Sequence, residues 1–190
     1  NEYTLWWWCF LVEFCPAREG TMRVGFSRTS VLAAVLWSAI GGPAAALEGW
    51  SRTVENGSAL FACRSSGCGN HALISCRVVG GNAITSTDQF EARIRSQAEA
   101  LRAAGRTYEA GPTSRSAHGE RALYEAAFLI RAPGGRGVEQ FRSGYLVGPT
   151  ETFSIVSSSS DAKTSQRNFD RFVAHLTNRA TAAAVAECLP

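Results

Sequence analysis

RALYEAAFLIRAPGGRGVEQFRSGYLV, residues 121–147, decides the fold. In its first part Tyr124, Ala126, Phe128 and Ile130 fall on one side of a two-residue alternation, and in its last part Phe141, Tyr145 and Val147 do the same. A period of two is what a pleated strand imposes, because successive side chains leave opposite faces of the sheet. Between the two parts Pro133-Gly134-Gly135-Arg136-Gly137 is turn chemistry, and Gly148-Pro149-Thr150 turns the chain again into a strand over Thr152–Ser157. Strands joined this way read as an antiparallel meander.

Upstream, Ser86-Thr87-Asp88-Gln89 matches a capping box, a hydroxyl followed three residues later by a glutamine. Phe90, Ile94, Ala98 and Leu101 follow at helical spacing, a narrow apolar stripe that ends at the terminator Gly105. Arg106–Ala110 reads as a short strand stopping before Gly111-Pro112. Further back, Trp50–Val54 and Ala59–Arg64 flank Asn56-Gly57, the strongest short hairpin signal because both turn positions need positive φ. Asn56-Gly57-Ser58 is also a formal glycosylation sequon. A third run, Ala72–Val79, follows the loop Ser65-Ser66-Gly67-Cys68-Gly69-Asn70. Downstream of the meander, Ser160 or Asp161 caps a helix carrying Phe169, Phe172, Val173 and Leu176, and the alanine-rich 180–187 extends it or adds a short helix. The expectation is an α+β domain, an antiparallel sheet with a strand meander covered by two helices.

The amino-terminal region reads as a leader. From Met22, arginines at 23 and 28 precede an apolar run over Ser30–Ile40, then Gly41-Gly42-Pro43 and Ala44-Ala45-Ala46, the three parts of a secretion signal. We expect cleavage before Leu47 and read residues 1–21 as an upstream artefact. Their apolar run Leu5–Val12 is well short of the ~20 residues of a spanning helix. The mature domain is then residues 47–190, periplasmic or secreted, with no stable membrane insertion.

Those 144 residues suffice for one hydrophobic core. The net charge is +3, and Lys163 is the only lysine in the chain. The arginines are scattered along the chain, which gives nucleic-acid binding no support and fits a GC-rich genome. Four cysteines follow the leader: Cys63, Cys68, Cys76 and Cys188. An even number in an exported domain reads as disulfides. Alternation puts Ala59, Phe61 and Cys63 on one strand face and Ile74, Cys76 and Val78 on another, so we expect Cys63 to pair with Cys76 and Cys68 with Cys188. Zinc on Cys63, Cys68, Cys76 and His71 is the competing reading, weakened by the missing Cys-x2-Cys knuckle.

No motif in the chain names a reaction. There is no Gly-x-Ser-x-Gly elbow, phosphate loop or dinucleotide fingerprint. His71, His118 and His175 lie in different elements, and Glu125 and Glu139 belong to adjacent strands as possible acid–base partners. Two function classes follow. One is an exported, non-enzymatic binding or assembly module without a cofactor, contacting another envelope or secreted protein or a small ligand. Its candidate contacts are Arg64 and His71 in the glycine–cysteine loop and Arg131, Arg142 and Tyr145 on the meander. The other is a small hydrolase or thiol/redox enzyme centred on the Cys68/His71 loop.

The capped helix at Ser86–Ala104, the meander over Arg121–Ser157 and the closing helix through Phe169–Leu176 together resemble the Mog1/PsbP-type fold in element order. The four cysteines depart from that pattern, and cystatin-like and NTF2-like sheets share part of it. Proteins of the Mog1/PsbP type are mostly non-enzymatic binding or assembly factors, so the resemblance implies the first class.

Overall fold

The computed structural model describes residues 47, 49–69, 72–80, 83–131 and 138–190. The expected leader at 22–46, the stretch before it and His71 lie outside the described residues. Asn56 and Gly57 take φ of 51° and 74°, and this two-residue turn joins β1 (Trp50–Glu55) to β2 (Ser58–Cys63). After β3 (Leu73–Val79), α1 (Thr87–Ala103) begins where the Ser86 hydroxyl accepts the Gln89 N–H at 3.2 Å. The Gln89 side chain reaches back one residue further than a capping box predicts, its Oε1 accepting the Thr85 N–H at 2.8 Å. At the other end Gly105 has φ of 75°, and the Gly105 and Arg106 N–H groups bond the carbonyls of Arg102 and Leu101 at 2.9 and 3.0 Å. That is a Schellman stop, which a residue with a side chain would strain.

The meander follows as β4 (Thr107–His118), β5 (Arg121–Arg131), β6 (Val138–Val147) and β7 (Thr152–Ser159). Two helices close the chain: α2 (Ala162–Thr177), capped by the Asp161 carboxylate on the Thr164 N–H at 2.7 Å, and the short α3 (Thr181–Cys188). The strands form one seven-stranded sheet in the order β1-β2-β3-β7-β6-β5-β4, every neighbouring pair antiparallel. The chain therefore crosses from β3 through α1 to the far edge, and the meander walks back until β7 pairs with β3. The expected α+β architecture is present, with α3 as a third helix.

Register sorts the side chains. Phe61, Ile74, Ser157, Ile155, Gly144 and Leu146 share one face, where α2 packs on β6 and β7 and α3 packs on β2 and β3. Phe153, Phe169, Phe172 and Leu176 are fully buried in the core of that face. Gly144 makes the approach possible: a Cβ there would lie 2.7 Å from the Phe169 ring and 2.9 Å from the Tyr124 carbonyl. On the opposite face α1 packs beside β4, and its Phe90 meets Tyr124 and Tyr145 at ring centroid distances of 6.4 and 6.0 Å.

Two expectations are corrected. The strand expected to stop at Ala110 runs on to His118, with a register shift between Ala110 and Thr113. Gly111-Pro112 sits inside the shift on an edge strand, where a residue without an N–H costs no ladder bond. The cysteine pairing also differs: Cys63 joins Cys68 and Cys76 joins Cys188, with Cα separations of 5.9 and 5.0 Å. Cys63 and Cys76 do share a face, but Cys76 lies opposite Ala59, while the Cys63 N–H bonds the Ala72 carbonyl. Four residues of strand, about 13 Å, separate the two sulfurs' positions. Cys63 instead closes on the 3-10 turn Ser66–Cys68, and Cys76, in a central strand, reaches α3.

Candidate binding groove

The helix-covered face is not covered to its edge. Beyond α2, the continuing face of β4, β5 and β6 carries Ser114, Glu125, Ala127, Gln140 and Arg142. Along the junction runs an open groove of about 520 Å³. Its sheet side includes Ala127, Gln140 and Arg142, and its helix side includes Lys163, Arg167, Asp170 and Arg171. The helix residues belong together because positions three or four apart lie on one helical face.

The polar geometry on the sheet is a short ladder. Ser114 donates to one Glu125 carboxylate oxygen at 3.2 Å, and Arg142 Nε donates to the other at 3.0 Å. Arg142 uses only Nε there, and its terminal nitrogens carry no partner among the described residues. On the helix, Arg167 donates to the Gly67 carbonyl at 3.2 Å, and Asp170 accepts from Gln166 at 2.6 Å. Lys163 and Arg171 are exposed and unpaired among the described residues. At the head of the helix, hydrogen bonds from Thr164 hold the exposed Asp161 carboxyl below its ordinary range, with smaller help from Lys163 and Arg167.

The expected site residues scatter. Arg142 enters the groove. Arg131 is exposed on the same sheet face and pairs with Glu109 at 3.5 Å, farther along β5. Arg64 is exposed beside the Cys63–Cys68 loop, its Nε donating to Ser51 Oγ at 2.9 Å, at the other end of the sheet order. Tyr145 is overturned as a surface contact. It is 2 % exposed beneath α1, with the Arg93 guanidinium 5.3 Å from its ring. Both faces of the meander are covered in part, so alternation does not report which side meets water. Glu125 and Glu139 sit on adjacent strands but opposite faces, which removes them as a carboxylate pair. Cys68 is bonded to Cys63 and buried, so it holds no thiolate in this state. Among the described residues no three His, Cys, Asp or Glu side chains come together as metal ligands.

Lys163, Arg167 and Arg171 were missed, yet their signal is in the sequence: three cations at intervals of four on one helix. No protein-family model matches the chain, and no characterised protein matches it in sequence.

Proposed function

We propose that the chain is an exported binding or assembly module whose partner, another envelope or secreted protein, docks in the groove between α2 and the β5–β6 surface. The observation that carries the reading is the groove itself, an open cleft between α2 and the sheet with Lys163, Arg167 and Arg171 on its helix wall and Arg142, paired with Glu125, on its sheet wall. Two disulfides support an oxidising compartment. Among the described residues no helix is long and apolar enough to cross a membrane. The leader-like segment at 22–46 and the Mog1/PsbP-like element order point the same way. The thiol version of the enzyme reading needs a reactive Cys68, and that sulfur is bonded to Cys63.

Site-directed photocrosslinking tests it. A photoreactive side chain at Gln140, in protein exported by its own leader, is expected to yield one protein adduct that the same group at exposed Val54, on β1, does not. Equal labelling from both positions, or none, overturns the assignment.

A further inference from the structure

The groove's chemistry goes one step further than the presence of a partner, and the step rests on that binding reading. We infer that the groove accepts an acidic segment of a partner polypeptide, in extended form, with an apolar side chain between its carboxylates.

The charge balance sets the sign. Four cations, Lys163, Arg167, Arg171 and Arg142, face the cleft against one lining carboxylate, Asp170. Asp170 accepts from the neutral Gln166 amide and keeps its charge, and Glu125 offsets Arg142 through its Nε. Asp161 at the helix N-terminus draws on Lys163 and Arg167, so the surplus in the cleft is positive but small. What is left unsatisfied is cationic: the Lys163 ammonium, the Arg171 guanidinium and the terminal nitrogens of Arg142. A guanidinium fork binds a carboxylate through two parallel hydrogen bonds, and such charge-assisted bonds are about twice as strong as neutral ones.

The dimensions set the shape. Lys163 and Arg171 are eight residues apart on α2, about 12 Å of helix axis. Three to four residues of extended polypeptide cover that length at about 3.3 Å each. The cleft is open to solvent, so an extended chain can enter it from the side.

The lining sets the composition. Two lining residues offer only a methyl: Ala127, paired across the strands with Arg142, and Ala162 at the start of α2. A uniformly charged polymer such as a polyphosphate or an acidic glycan would leave these methyls wet or desolvate charge against them, whereas an apolar side chain removes them from water at a gain of about 25 cal/mol per Å². A peptide with acids three or four residues apart and an apolar residue between them meets the cations and these methyls together.

The test is a selection with the full chain, exported and oxidised, as bait for a display library of random octapeptides. Retained sequences are expected to carry Asp or Glu on either side of an apolar residue. A synthetic representative should weaken about tenfold, equal to 1.4 kcal/mol, when its acids are replaced by their amides. It should weaken as much against Lys163→Glu/Arg171→Glu, and against Ala127→Phe, which puts a ring in place of the methyl and leaves every cation in place. Melting temperatures of the variants confirm that they fold. Retention of neutral or basic peptides, or full binding to the charge-reversed variant, overturns the inference. Full binding to Ala127→Phe, or competition by polyphosphate as effective as by the peptide, overturns it too, because either reduces the site to general anion attraction. A Gln140 crosslink to a partner without acidic selection leaves the binding module standing and removes only this partner chemistry; loss of both removes the module.

Discussion

The two faces of the sheet hold their helices by different means. On the α2–α3 face, packing is reinforced by Cys76–Cys188 and by the buried pair Arg121–Glu151 at 2.8 Å, whose arginine also donates to the Leu176 carbonyl at the end of α2. Ser157 and Ser165 exchange hydrogen bonds between β7 and α2, and Asn168 donates to the Cys68 carbonyl at 2.8 Å. On the α1 face the described contacts are dominated by packing: Phe90, Ile94, Ala98 and Leu101 are buried against an aromatic wall in which Tyr108, Phe128 and Phe141 stack at 5.3 and 5.4 Å. The wall is dry. Burial pushes the Tyr108 phenol up to about 12, with Arg102 pulling the other way. The lesson concerns placement. The fastened face is the one that carries the groove, so its walls are held where a partner would meet them.

The largest break in this comparison is removal of the long disulfide. Cys76→Ser/Cys188→Ser opens a loop of 112 residue separations, which in the chain-entropy model costs about 5 kcal/mol. Denaturant unfolding is expected to show that loss, and native-state hydrogen exchange should show α3 opening first. Phe90→Ala attacks the other face and is expected to cost about 4 kcal/mol through lost burial and a cavity. Its exchange signature should lie in α1, leaving α3 protected; uniform loss of protection across both faces would contradict the division drawn here.

Arg121→Met comes next, at about 3 kcal/mol, because it strands a buried carboxylate. Burial opposes the Glu151 charge, but hydrogen bonds from Thr150 and Arg121 and the arginine's own charge outweigh it, so the carboxyl lies below its ordinary 4.5. A lowered folded pKa contributes stability that is present above 4.5 and lost as pH falls through the folded value. The parent protein should therefore lose stability below pH 4.5 more steeply than Glu151→Gln, as read by melting temperature against pH. Equal slopes would refute the pair's role.

Cys63→Ser/Cys68→Ser opens a loop of only five separations, for which the same model gives about 2 kcal/mol. A cost equal to that of the long disulfide would mean that the 3-10 turn, through its bonds to Arg167 and Asn168, holds α2 in place. The smallest effect is expected at Tyr108→Phe. The buried Tyr108 hydroxyl has no hydrogen-bond partner among the described residues, so removing it should change stability by less than about 1 kcal/mol or raise it. A larger loss would show that the Tyr108 hydroxyl is engaged in the folded protein.

Local signals carried most of the architecture. Asn56-Gly57 announces its hairpin because two consecutive positive φ values admit few residues, and Ser86 with Gln89 announces α1 because orphan N–H groups need an acceptor. The meander was legible from its period of two. Cysteine pairing was not, because it depends on register. A shift of four along β2 and β3 leaves Cys63 and Cys76 on the same face, and the intervening loop, not the alternation, sets the shift. The length of β4 was hidden because Pro112 is tolerated only on an edge, and edge position is a property of the assembled sheet. Tyr145 misled for a related reason: an aromatic on a strand beside arginines looks exposed until a crossover helix is laid over it. For the groove, the spacing of Lys163, Arg167 and Arg171 was readable. Their meeting with Ala127 and Arg142 was not, since that follows from how far α2 reaches across the sheet.

The bond from β3 to α3 also changes what a cut in the chain can do. Cys76 and Cys188 close a covalent ring that includes α1, the whole meander and α2. A protease that severs one peptide bond anywhere between Arg77 and Glu187 linearises that ring without releasing either piece. The nicked molecule keeps its intact mass plus one water and travels as one species until a reductant separates the fragments. In a compartment that holds proteases but no strong reductant, the domain can thus survive a single cleavage as a two-chain protein.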